Sequence, residues 1–210
     1  MNDLLKKVFA WMSIGLLVTF ATGYIVATNT NMFYSMINSY FLLAIIELVL
    51  VIVLSARITK MSPTSARIMF LLYSFVSGLT FSSIFVVYEM SSIIYVFLIT
   101  AVAFAILAFL GYKTSVDLTK FGTYLMIALF AIIICALINM FVGGSTFAII
   151  ICSISILVFM GFTAYDVQKI LSLQGVIEED NLAIYGALQL YLDFINLFLD
   201  ILRLFGDSRD

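Results

Sequence analysis

Apolar residues run through this chain in seven long stretches, broken by short polar segments. The stretches cover about 8–28, 33–55, 66–88, 92–112, 121–141, 146–168 and 182–205. Each is close to the roughly 20 apolar residues that a bilayer-crossing helix needs. The breaks carry turn chemistry. Thr28-Asn29-Thr30-Asn31 separates the first two stretches, Ser62-Pro63-Thr64 follows the second with the only proline, and Gly143-Gly144-Ser145 separates the fifth and sixth. The pattern predicts an all-α integral membrane protein of seven transmembrane helices, one domain over 1–210, with the lipid bilayer as its first partner. Seven spans leave no room for a soluble domain of ordinary size.

Composition narrows the function classes. Of 210 residues, 64% are hydrophobic and 10% charged, whereas a soluble domain carries about 45–50% apolar and about 25% charged residues. A soluble enzyme and a disordered chain are excluded. A net charge of -2 gives no basic footprint for nucleic acid. The chain contains no histidine, which excludes Ser-His hydrolysis, His-ligated zinc and His-ligated haem. Cys135 and Cys152 both fall inside apolar runs, so a disulfide framework has no support. The first apolar run is too long for a secretory signal and reads as a span.

Loop charge predicts orientation. Lys6 and Lys7 precede the first span. Arg57, Lys60 and Arg67 lie between the second and third, Lys113 and Lys120 between the fourth and fifth, and Lys169 follows the sixth. The alternate connections hold only Glu89. An excess of Lys and Arg marks cytoplasmic loops, so the N-terminus is expected in the cytoplasm. A fully crossing seventh span puts the C-terminus outside. Arg203 and Arg209 argue mildly against that, and an incompletely inserted seventh helix stays open.

Charges inside the apolar runs invite functional readings, because each costs about 2.5–3.5 kcal/mol or more at the bilayer centre. Four acids qualify: Glu47, Asp166, Asp193 and Asp200. The sixth and seventh stretches form a hairpin through Glu178-Glu179-Asp180. Asp166 and Asp193 are equidistant from that turn, so fully helical arms would set them at equal depth. Two close carboxylates in a low dielectric share a proton and titrate as a unit. Fully deprotonated, they offer hard oxygen ligands to Ca2+. Each could instead bond a neighbouring hydroxyl, such as Thr163, Tyr165 or Tyr191. Glu47 is a candidate third pore carboxylate. Asp200 and Arg203, spaced i, i+3, read as a structural ion pair. Arg57 and Lys60 read first as snorkelling cations. Trp11 reads as an interface anchor, and Ser77-Gly78 and Gly161 as close-packing positions.

At the C-terminal hairpin the residues resemble a known family. Met160-Gly161-Phe162-Thr163-Ala164-Tyr165-Asp166-Val167-Gln168 and Gln189-Leu190-Tyr191-Leu192-Asp193-Phe194-Ile195-Asn196-Leu197-Phe198 are similar to the paired aspartate motifs of the transmembrane Bax inhibitor motif proteins. Ser77-Gly78-Leu79-Thr80 also matches. The resemblance covers essentially the whole chain. It implies six helices wrapped around a central C-terminal one. It also implies a pH-sensitive calcium leak governed by an aspartate pair, here Asp166 and Asp193. Ca2+ is then the transported ion, no cofactor is needed, and Arg57 is the candidate latch on the pair. Relatives often carry a proline shortly after the Ser-Gly-Leu-Thr stretch, where this chain has Ser83. Compactness and family together suggest a prokaryotic plasma membrane.

Other classes stay open. Tyr165-Asp166 fits half of an intramembrane aspartyl protease, but the partner Gly-x-Gly-Asp and Pro-Ala-Leu elements are missing. A membrane regulator that binds partner proteins without transport fits the same dyad. A proton-coupled transporter lacks the expected inverted repeats. No lysine lies inside the seventh stretch to carry retinal.

Overall fold

The computed structural model describes residues 2–209. Among them are eight α-helices and no sheet. They are α1 (Asp3–Thr28), α2 (Thr30–Asn38), α3 (Tyr40–Arg57), α4 (Pro63–Val87), α5 (Met90–Lys113), α6 (Gly122–Val142), α7 (Ser145–Ser172) and α8 (Glu179–Phe205). All but α2 are long and apolar enough to cross a membrane. The seven expected spans are therefore present, with one change. The stretch 33–55 is divided at Ser39, whose backbone (φ -105°, ψ 5°) leaves the helical region. The Ser39 N–H closes α2 on the Met36 carbonyl, and its own carbonyl accepts from the Leu43 N–H to open α3, so α2 stands apart and α3 alone makes the span.

Local chemistry sets the ends. The Asn29 side chain caps α2 by accepting from the Met32 N–H, while its own N–H closes α1 on the Val26 carbonyl. Ser62 caps α4 through the Ser65 N–H, with Pro63 in the first turn, where its missing N–H costs nothing. Gly143 ends α6 at φ +70°, a conformation open to glycine and strained for other residues. The polar first turns explain why several helices start before the apolar window does.

The chain divides into two compact units. One contains α1–α4, the α7–α8 connection, α8 through Tyr191, and the tail from Ser208; the other contains α5–α7 and α8 from Leu192.

In the first unit α4 packs against α1 and α3. A Cβ on Gly78 would sit 2.8 Å from the Thr19 carbonyl, so the Ser77-Gly78 pair permits the close approach expected of it. Asn2 donates to Gln174 at 2.7 Å and Lys7 to Glu179 at 2.6 Å. Arg67 pairs with Asp180 at 2.6 Å and lies 5.8 Å from the Trp11 ring. These contacts fasten the N-terminus to the start of α8. At the far end, the Arg209 N–H donates to the Val87 carbonyl at 2.9 Å, and its guanidinium lies 3.7 Å from Glu89. α8 thus runs from the N-terminal side to the α4–α5 connection. Its 27 residues give about 40 Å, enough for a complete crossing. Arg209 at that end is matched by Glu89, the one charge of the alternate connections.

In the second unit α6 packs on α7. Phe159, Phe162 and Leu197 form a core against Leu125, Leu129 and Ile201. Phe194 adds edge contacts to Phe97 (5.3 Å) and Phe104 (5.5 Å). Gly161 meets only the Leu125 side chain. The burial gradient is steep: 72% of the α8 apolar window is buried, against 0% for α6. α6 therefore presents its surface to lipid.

Candidate functional site

Asp166 and Asp193 come together inside the second unit. Asp166 projects from α7 and Asp193 from α8, and each is 4% exposed. Their carboxyls are within hydrogen-bonding reach of one another. The approach does not come from a symmetric hairpin. Asp166 lies six residues before the end of α7 at Ser172, and Asp193 lies fourteen beyond the start of α8 at Glu179. These arms are about 9 and 21 Å long. The six-residue connection 173–178 has the reach for the difference, at up to about 3.3 Å per residue. Gly175 gives that connection a residue at φ +83°.

Two of the three hydroxyls that offered a simpler account are engaged elsewhere. Thr163 donates to the Phe159 carbonyl at 2.8 Å, and Tyr191 meets Thr19 at 2.6 Å. Among the described residues no donor reaches the buried Asp193 Oδ2. Two carboxylates offer each other only acceptors. One proton between them converts that orphan into an O–H···O bond.

Sequence reading missed the surroundings of the pair. Lys169 is one turn from Asp166, and its charge acts on both carboxyls. Its Nζ lies 5.4 Å from the Tyr165 ring, and Tyr165 in turn fills the space a Cβ on Gly122 would need. The i, i+3 spacing of Asp166 and Lys169 was the available signal. Gln168 reaches the α5–α6 connection, accepting from the Leu118 N–H at 2.6 Å and donating to the Val116 carbonyl at 2.9 Å. Gly111 of α5 lies against the Ala164 backbone, where an added Cβ would sit only 2.8 Å from the Ala164 Cα. Within that connection Asp117 caps a helical turn at Leu118–Phe121. Hydrogen bonding from Thr119, aided by Lys120, holds its carboxyl below the usual range.

Asp200 is 8% exposed, beside Ser155 and Cys152, and Arg203 adds its charge there. Glu47 and Arg57 belong to the first unit. Glu47 accepts a 2.8 Å bond from Thr80. Arg57 ends α3 and, with Ala56, Lys60 and Met61, lines an open cavity of about 500 Å³. Among the described residues no group of three or more acid or thiol side chains is placed to hold a metal. Any cation held by the Asp166–Asp193 pair takes its other ligands from neutral oxygens or water.

Seven membrane-length helices and a buried carboxyl pair on the last two define a polytopic helical membrane protein with a buried acid dyad. The family described as "Inhibitor of apoptosis-promoting Bax1" matches residues 1–210, and the chain belongs to it. Inner membrane protein YbhL of Escherichia coli K12 is 42% identical, over 98% of this chain and 92% of its own length. An uncharacterized protein of Borreliella burgdorferi is 40% identical over 100% of this chain and 94% of its own. An uncharacterized protein of Deinococcus radiodurans is 34% identical over 98% and 90%.

Proposed function

We propose that this protein is a passive, pH-sensitive calcium leak channel of a bacterial inner membrane, gated by Asp166 and Asp193. The observation that carries the reading is the buried, facing carboxyl pair with an oxygen that no protein donor satisfies. A shared proton ties α7 to the second half of α8. Two charges at this site repel in a low dielectric, which favours separation of the helices. The carboxylate oxygens so freed are hard ligands of the kind Ca2+ takes. No catalytic step is required. The inner-membrane location rests on YbhL, and the cytoplasmic N-terminus on the bias of loop charge.

The test is Ca2+ entry into proteoliposomes from acidic to mildly alkaline pH, comparing wild type with Asp166→Asn and Asp193→Asn. The expected result is wild-type flux that varies with pH and a flattened response in either variant. Absence of wild-type flux at every pH overturns the channel reading. The family description, which names an inhibitor, then favours a membrane regulator whose dyad switches a partner-binding surface.

A further inference from the structure

Glu47 has no part in the aspartate mechanism, yet it stands in the apolar body of α3. In the first unit it faces oxygen-bearing side chains. Thr80 Oγ1 lies 2.8 Å from Glu47 Oε2 and 2.9 Å from the Ser77 carbonyl. Its single proton serves one of these at a time. Ser77, 2% exposed, is within hydrogen-bonding reach of the Tyr73 and Tyr191 phenols. The Glu47 charge reaches both phenols. Thr19 Oγ1 has two carbonyls in range, Gly15 at 3.0 Å and Ser74 at 2.9 Å. With its proton committed to a carbonyl, Thr19 accepts at 2.6 Å from Tyr191. The Tyr191 proton is thus engaged by Thr19.

An ionised carboxylate has about four acceptor sites, and here one hydroxyl addresses it. The surrounding Ser77 and Tyr73 hydroxyls carry lone pairs as well as one proton each. Carboxylate, hydroxyl and phenol oxygens, with no basic side chain among them, are the donor set of a hard cation. We propose that Glu47, Thr80, Ser77 and Tyr73 form an intramembrane station for a divalent cation, distinct from the aspartate pair. One negative charge and neutral oxygens make a weak site. Conduction needs such weakness, because an ion must leave as readily as it enters. That Ca2+ is the passing ion rests on the channel reading; the binding itself does not.

Tb3+, a luminescent stand-in for Ca2+, tests the site in detergent-purified full-length protein, with Tyr73 and Tyr191 as sensitising phenols. The expected result is Tb3+ luminescence in the wild type that Ca2+ displaces. Loss of even an outer partner of a metal ligand costs about 10–100-fold in affinity, so Glu47→Gln should weaken binding by at least about tenfold. Thr80→Val should weaken it less, while Asp166→Asn and Asp193→Asn should retain it. Glu47→Asp keeps the carboxylate and serves if Glu47→Gln does not fold. A Glu47→Gln signal equal to wild type, a signal lost only in the aspartate variants, or no Ca2+-displaceable signal at all overturns the site. Tb3+ binding that depends on Glu47 without any flux overturns the channel and leaves the station. Flux without such binding does the reverse.

Discussion

Asp193, whose buried Oδ2 has no protein donor, lies within hydrogen-bonding reach of Asp166, although the two residues lie at unequal distances from the ends of their helices. The contact is therefore a product of how α7 and α8 are offset. It also sets a chemical demand that a neutral amide meets better than a second carboxylate. Asn at 193 supplies an N–H to the Asp166 oxygen. A buried polar group left unpaired costs about 1–3 kcal/mol, so at a pH where the pair carries no shared proton Asp193→Asn should unfold no earlier than wild type and gain on the order of 1 kcal/mol. Asp193→Ala offers no donor and leaves a void, and it should unfold earlier. Thermal unfolding in detergent, followed by helix signal, checks the order. An Asn variant less stable than the Ala variant would contradict the arrangement.

Close helix approach next to the pair yields a second prediction. A Cβ on Gly111 meets the Ala164 backbone, whereas one on Gly161 meets only the flexible end of Leu125. Backbone cannot move aside without shifting a whole helix. Overpacking of this kind costs about 1–3 kcal/mol. Gly111→Ala should lose that much and widen the α5–α7 contact two residues from Asp166. Gly161→Ala should be near neutral, because Ala gains about 1 kcal/mol over Gly in a helix and Leu125 can turn. Equal losses in the two variants would show that side-chain clearance does not govern this packing.

The seven spans were legible because each is a long, nearly charge-free run, and a helix of that length satisfies its own backbone in lipid. The division at Ser39 was not, since two polar residues inside an apolar average barely change it. Asp166 and Asp193 stood out as costly charges within similar motifs. The midpoint of the turn sets the two at equal depth only for fully helical arms; α7 ends at Ser172 and α8 begins at Glu179, so the arms are unequal and the connection makes up the difference. The contacts of Gln168 and Gly111 were not legible for a different reason. Their partners lie about 50 residues away in the chain, and local spacing does not carry that.

Gln168 makes the third prediction. It bonds both Val116 and Leu118 in a connection otherwise held by Asp117 and its own turn. Net contributions of about 0.5–1.5 kcal/mol per bond suggest a loss of about 1–3 kcal/mol in Gln168→Leu. Amide exchange at Leu118 should accelerate first, and α6 should remain helical. Asp117 adds a pH dependence with a definite sign. Its carboxyl is held below the usual range, so its support is present above the unfolded value and lost as pH falls through the lower folded one. Exchange protection at Thr119 should fade in acid in the wild type and be insensitive to acid in Asp117→Asn. Unchanged protection in acid would remove Asp117 as the cap.

The tail supplies the fourth prediction, and it concerns topology. Asn2 is tied to Gln174 beside the start of α8, while Arg209 is tied to Val87 and Glu89 beyond its end. An α8 that crosses completely puts these two clusters on opposite faces of the bilayer. In a background with Cys135 and Cys152 replaced by Ala, Asn2→Cys and Ser208→Cys should differ in sealed vesicles of one orientation. A membrane-impermeant maleimide should label one and spare the other until the vesicles are opened. The Arg209–Glu89 pair is itself exposed, and such pairs contribute about 0–1 kcal/mol. Arg209→Ala should therefore leave both the labelling pattern and the unfolding temperature close to wild type. Labelling of both cysteines from the same side would mean that α8 enters the membrane without leaving it. The carboxyl pair would then lie in a re-entrant helix, and a pore through the bilayer would need a different lining.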